Sequence, residues 1–250
     1  FFDKFKKLKL LTVVVKMNVN LTFLAQLLRN NSIEELSLEF CNTFDQFEEL
    51  GNILKKYQFN SLHFIYRNES GLDASVLFNE LKDAKFWSSL KTLELPKMSC
   101  EQTVALLTSI NLPVLHEITF FINDKFKQPL DHIPPLTSVR VVTIWIEKSA
   151  EINRNLNSFL KLFPQLTNLT VMGQNSYIRA FNPVPILPNL RTLSFEYKYL
   201  FEDDEFIKQL CKLPLLTSVS LSSCSTYRTG GKYGGVRNEN FINIKNNLNN

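Results

Sequence analysis

The sequence is poor in the residues on which most catalytic chemistry and most membrane anchoring depend. Its 250 residues include four cysteines, Cys41, Cys100, Cys211 and Cys224, scattered without a CxxC pair. That excludes a disulfide framework and a cysteine metal knuckle, and it fits a reducing compartment, so a cytoplasmic or nuclear location is expected. Only three histidines occur, His63, His116 and His132, which leaves little for acid–base or metal chemistry. There is no serine or cysteine nucleophile motif and no GxxxxGK[ST] phosphate loop. The chain is therefore expected not to be an enzyme and to need no cofactor and no metal. No run of eighteen apolar residues appears, and the opening FFDKFKKLKL lacks the charged, apolar, small-residue order of a signal peptide. No membrane partner is expected, and the missing first methionine suggests a segment of a longer protein.

Charge adds one further exclusion. The net charge is +4, and the one dense basic cluster is Lys4, Lys6, Lys7 and Lys9. A lone charge run is usually a solvated face, so no nucleic-acid partner is expected. Asparagine is abundant, and the sequons at Asn20, Asn30, Asn68 and Asn168 read as chance matches to a glycosylation signal.

What is present is a repeat. One phrase recurs from end to end: apolar, two residues, apolar, one residue, apolar. It begins at Leu8, Ile33, Phe59, Leu90, Leu115, Val139, Leu166, Leu190 and Leu216, at intervals of 24 to 31 residues. A period in this range is the mark of a repeat architecture, in which each unit buries its apolar face only against its neighbours. Three residues before the phrase stands a large apolar side chain in seven copies: Phe5, Trp87, Leu112, Leu136, Phe163, Leu187 and Leu213. These are read as plugs closing the preceding connector onto the core. Among the connectors, 74–86, 152–163 and 203–213 have helical apolar spacing. Those holding Pro129, Pro134 and Pro135, and Pro183, Pro185 and Pro188, are expected to be largely non-helical, because proline lacks an N–H and fixes φ.

The phrase resembles the leucine-rich-repeat consensus LxxLxLxxN/C over essentially the whole chain. The resemblance implies an α/β fold: a right-handed leucine-rich-repeat solenoid, with a curved parallel sheet on the concave face and helices or irregular segments on the convex face. Residues 1–250 are then a single domain of about nine repeats, with FINIKNNL capping the last layer through Phe241, Ile244 and Leu248. The ninth phrase position carries the family's Asn or Cys only at Cys41, Asn123 and Cys224. That departure puts a regular asparagine ladder in doubt. It is more similar to the irregular intracellular repeats of F-box leucine-rich-repeat and ribonuclease-inhibitor-like proteins. The function implied is protein–protein recognition through the concave face, as in the substrate-recognition segment of an F-box-type ubiquitin ligase, with the F-box itself lying upstream. Two alternatives stay open: an accessory regulator of an enzyme, such as a small-GTPase activator, and an extracellular recognition module. The protein is expected to be a monomer or part of a hetero-complex.

Side chains alternate along a strand, so the third, fifth and seventh phrase positions should leave the core. The fifth column is hydroxylic in seven of nine copies, the exceptions being His63 and Glu94. That pair could hold a proton or a metal, but a metal needs three or four ligands and no third converges. The seventh column is apolar for five repeats running, through Ile65, Pro96, Phe121, Trp145 and Met172. At strand spacing this is a stripe on the order of 20 Å long. Aromatic residues and methionine are enriched at interface cores. The expected partner-binding residues are therefore Ile65, Tyr66, Phe121, Thr143, Trp145, Thr170, Met172, Glu196 and Tyr197. Tails or a neighbouring domain of a longer protein would cover the same stripe equally well.

This assignment rests on one register. In LTSVRVVTIWIEK (136–148), a phrase starting at Leu136 puts Trp145 in the core, and one starting at Val139 puts it outside. Starting at Val139 keeps the intervals at 24 and 27 and places Thr143 in the hydroxylic column. The glycine-rich stretch 225–239 has two readings, a phosphate cradle or, without the required spacing, a flexible insertion before the capping segment.

Overall fold

The computed structural model describes residues 8–15, 20–41, 44–66, 75–122, 133–146, 159–173, 187–197, 199–200, 210–222, 225–227 and 233–235. The chain divides into two compact units, Phe1–Phe120 and Phe121–Asn250. Its architecture is α/β and built on parallel strands.

The first unit alternates strands and helices: β1 (Leu10–Val15), α1 (Leu21–Asn30), β2 (Glu35–Phe40), α2 (Phe47–Leu54), β3 (Ser61–Tyr66), α3 (Ser75–Leu81), β4 (Thr92–Glu94), α4 (Cys100–Ser109) and the start of β5 (Glu117–Ile122), whose last two residues, Phe121 and Ile122, belong to the second unit. Strand β1 pairs with β2, β2 with β3, β3 with β4 and β4 with β5, all parallel. The register is unstaggered with respect to the phrase: Leu11, Leu36, Leu62, Leu93 and Ile118 stand side by side. On β2 and β3 the apolar alternation puts Leu36, Leu38, Phe40, Leu62 and Phe64 in the core. The helices cover this face, as Phe40 meets Phe47 of α2 at 5.7 Å and Phe64 meets Phe78 of α3 at 5.3 Å between ring centroids.

Local signals account for the helices. Helix α1 starts at Asn20, whose side chain accepts a hydrogen bond from the Phe23 N–H at 3.1 Å, and it buries Leu21, Leu24, Leu27 and Leu28 at helical spacing. Helix α4 has a full capping box: Ser99 Oγ accepts from the Gln102 N–H and Gln102 Oε1 accepts from the Ser99 N–H. The helix expected over 74–86 is shorter than its apolar pattern. Helix α3 ends at Leu81, and a 3₁₀ turn takes over at Lys85–Ser88. The step from Leu81 to Phe86 exceeds a helical turn, and the Leu81 carbonyl at the helix end accepts both the Ala84 N–H at 2.8 Å and the Trp87 indole N–H at 2.6 Å.

The second unit carries β6 (Val141–Ile146), β7 (Asn168–Gly173), β8 (Thr192–Tyr197) and β10 (Ser218–Ser222). Strands β6 and β7, β7 and β8, and β8 and β10 are parallel pairs, again unstaggered with respect to the phrase. A separate small sheet joins β11 (Ser225–Tyr227) antiparallel to β12 (Tyr233–Gly235) and parallel to β9 (Tyr199–Leu200). The glycine-rich stretch, expected as a flexible insertion, therefore contains two strands, and its Ser-Thr-Tyr run has the β-preference that pairing uses. Of the two proline-bearing connectors, residues 133–138 and Pro188 are non-helical, and Pro129, Pro183 and Pro185 lie outside the described residues. The helical spacings at 152–158 and 203–209, the capping segment at 241–248, Phe5 and Cys224 lie outside the described residues.

Two backbone devices recur in both units. Five of the plugs open a tight turn: the carbonyls of Leu112, Leu136, Phe163, Leu187 and Leu213 accept from the N–H three residues on, the first residue of the next phrase. Four of these five turns have proline second, Pro113, Pro164, Pro188 and Pro214, the position whose φ proline pre-sets. Trp87, Leu112, Phe163, Leu187 and Leu213 are buried. Leu136 alone of the described plugs is half-exposed. At the second phrase residue, one carbonyl takes two donors from the next strand: Lys9 from Glu34 and Glu35, Glu34 from Asn60 and Ser61, Asn60 from Lys91 and Thr92, and Lys91 from His116 and Glu117. Arg140, Thr167 and Arg191 likewise each take two N–H donors in the second unit, and the Thr167 and Thr217 hydroxyls add a third donor to the Arg140 and Arg191 carbonyls.

Candidate functional site

In the second unit the register of β6 is settled by burial. Val139, Val142, Ile144 and Ile146 are 0–2 % exposed, whereas Trp145 between them is 36 % exposed. The phrase begins at Val139, and Trp145 stands on the face away from the core. The Phe121 ring lies parallel to the Trp145 ring, with centroids 5.7 Å apart and planes 7° from coplanar. This falls in the range of an offset aromatic stack. Met172 of β7 is the register partner of Trp145, and Thr170 is the partner of Thr143. Met172, Thr170 and Thr143 are half-buried. The structure thus brings together Phe121, Trp145 and Met172, with Thr143 and Thr170 one pleat back along the same face.

Glu196 and Tyr197 are the β8 register partners of Met172 and Gly173. Tyr66 is paired with Phe40. The side chains of Tyr66, Glu196 and Tyr197 lie outside the described part of the structure.

The apolar stripe is not continuous from Ile65 to Met172. Ile65 is half-buried in the first unit, but Pro96, the next member, is buried. Strand β4 pairs with β3 only from Thr92 to Glu94. The Thr92 N–H points to β3, where it donates to Asn60, while the Leu95 N–H points to β5 and donates to Thr119. Pro96 comes next on the β3 side and has no hydrogen to donate, so the ladder stops before it. A seventh-column proline counts as apolar in the sequence but cannot occupy a strand position there.

The same face of the first unit holds a polar cluster. The His63 Nδ1–H donates to Glu94 Oε2 at 3.1 Å, and Nε2 lies 3.9 Å from Glu35 Oε1. The hydrogen bond to Glu94, reinforced by the charges of Glu94, Glu35 and Glu117, raises the His63 pKa above the ordinary histidine value, and partial burial opposes it. Column alignment pairs His63 with Glu94. It does not show Glu35, which reaches His63 diagonally from two residues back on β2.

A cleft of about 450 Å³ also opens in the first unit, lined by Leu28, Asn31, Glu34, Tyr57, Asn60 and Ser89 among others. Asn31 donates from its side chain to the Leu27 carbonyl at 2.8 Å, and its Oδ1 is buried without a hydrogen bond. No sequence motif marks this cleft. Among the described residues no three His, Cys, Asp or Glu side chains converge on a metal position, and no helix is long and apolar enough to cross a membrane.

No family model, no curated protein and no solved structure matches the chain.

Proposed function

We propose that this chain is a leucine-rich-repeat solenoid that recognises another protein through its exposed strand face, with Phe121, Trp145 and Met172 at the centre of contact. The observation that carries this reading is the Phe121–Trp145 stack: a large aromatic pair held parallel on a sheet face, one ring still 36 % exposed. Stacking fixes the tryptophan before any partner arrives, so less side-chain entropy is lost on binding. Trp is the residue most often found at the energetic centre of an interface. Thr143 and Thr170 beside it offer hydroxyls that can serve as donor or acceptor. The repeat phrase and its unstaggered parallel strands support the repeat assignment. The finer proposal, a substrate-recognition segment of an F-box-type ubiquitin ligase, rests on the similarity of its irregular repeats to that group.

The test is affinity capture with the wild-type chain and with Trp145→Ala and Phe121→Ala, each checked for unchanged thermal unfolding. Loss of the same captured protein in both variants is expected, together with co-capture of a ubiquitin-ligase core if the finer proposal holds. Unchanged capture by both variants at unchanged stability would sink the reading.

A further inference from the structure

The strand face of the first unit is electrostatically one-sided. Its positions are Leu10, Thr12 and Val14 on β1, Glu35, Ser37 and Glu39 on β2, Ser61, His63 and Ile65 on β3, Thr92 and Glu94 on β4, and Glu117 and Thr119 on β5. Four are glutamates, one is a histidine, and none is a lysine or arginine. Among the described strand positions on this face, His63 is thus the sole one able to carry positive charge. It sits between the carboxylates of the flanking strands, with Glu94 directly opposite on β4 and Glu35 diagonal on β2. Glu117 acts on it from β5, and Glu39 lies two residues beyond Ser37 on β2.

We propose that His63 is a proton-operated clamp across β2, β3 and β4. With its second proton in place, the imidazolium holds Glu94 through Nδ1–H and attracts Glu35 through Nε2–H. Without it, Nδ1–H still donates to Glu94, but Nε2 turns a lone pair toward the Glu35 carboxylate, and that contact changes from attraction to repulsion. The net charge of the face falls by one at the same step, from −3 to −4 when the four glutamates are ionised. The direction follows from linkage. A histidine that holds its proton more tightly when folded contributes stability that is fully present below its unfolded pKa of 6.5 and is lost as pH rises through the higher folded value. The first unit is therefore most firmly held in mildly acidic solution. At neutral to alkaline pH its strand face loosens and becomes more negative. This inference rests on the cluster itself and is independent of the partner-binding surface in the second unit.

The ring protons of His63 report the clamp directly. In an NMR titration of the full chain over about pH 5 to 9, the resonance is assigned by its absence in His63→Gln. Its midpoint should lie above 6.5, fall most in Glu94→Gln, and fall by less in Glu35→Gln. Urea midpoints over the same range should decline with pH for the wild type more steeply than for His63→Gln. A His63 midpoint at or below 6.5, or one that neither glutamate variant moves, overturns the proposal. If His63→Gln does not fold, the two glutamate variants still decide through the titration, with assignment by sequential resonances.

Discussion

Replacing Gly51 by alanine sets two well-characterised effects against each other. Gly51 is the fifth residue of α2, and on helix propensity alone an alanine there should stabilise the protein by about 1 kcal/mol. The packing says otherwise. A Cβ at Gly51 would lie 2.6 Å from Glu80 Cβ, 3.3 Å from its Cγ and 3.6 Å from Leu77 Cδ1. Carbon atoms prefer about 3.5–4.0 Å, so the nearest contact is short by about 1 Å. Glu80 Cβ is tied to the α3 backbone and cannot rotate away, so the two helices must move apart. That strain costs about 1–3 kcal/mol. Subtracting the propensity gain leaves a net loss of about 1 kcal/mol, or about 0.5 M in the urea midpoint for a slope near 2 kcal/mol/M. The background decides the sign. Glu80→Gly removes both clashing carbons, at about 1 kcal/mol of helix propensity and a few tenths for the partly exposed Lys55–Glu80 ion pair. In that background Gly51→Ala should raise the midpoint, because only the propensity gain remains. Urea denaturation of the four proteins completes the cycle. A higher midpoint for Gly51→Ala in the otherwise native chain, or the same sign in both backgrounds, would refute the argument from close approach.

Two further pairs of substitutions test register and capping. Phe64 is fully buried between Phe40 and Phe78, so Phe64→Ala should cost about 3–5 kcal/mol, while Ile65→Ala, on the opposite face and half-buried, should cost about 1 kcal/mol; equal losses in chemical denaturation would mean that β3 presents its residues otherwise. Ser99→Ala should cost about 1 kcal/mol and Ser99→Gly only a few tenths, read by thermal unfolding and by faster amide exchange in the first turn of α4, and an alanine no worse than glycine would show that the capping box makes no net contribution.

How much of this could be read from the sequence depended on what holds each feature in place. The strands were legible because an unstaggered parallel sheet repeats one rule at each strand, so Leu36, Leu62 and Leu93 betray each other by phase. The same phase placed Trp145 outside the core, once Val139 was taken as the start of its phrase. Helix ends were less legible, since at the stop of α3 the Ala84 N–H and the Trp87 indole both turn back to the Leu81 carbonyl, contacts that an apparently continuous apolar pattern does not show. Helices α1, α2 and α4 lie in connectors for which the repeat phrase predicts nothing, although Asn20 and the Ser99–Gln102 spacing carry ordinary start signals. Pro96 was misread because hydropathy is blind to which neighbour a missing N–H would have faced. Glu35 escaped because columns show direct neighbours, and its approach to His63 is diagonal.

The doubly accepting carbonyls at Lys9, Glu34, Asn60, Lys91, Arg140, Thr167 and Arg191 bear on how such a chain can change over time. Each accepts two main-chain N–H groups, with a threonine hydroxyl added at Arg140 and Arg191, so the start of a strand is aligned with its neighbour whatever side chain the accepting residue carries, as the mixture of lysine, glutamate, asparagine, arginine and threonine there shows. Alignment set in this way does not depend on counting residues along the connector. A connector can therefore lengthen, as the interval from Phe59 to Leu90 does relative to its neighbours, and the next strand still enters in phase. An insertion in a connector would thus leave the strand face, and whatever it meets, in place.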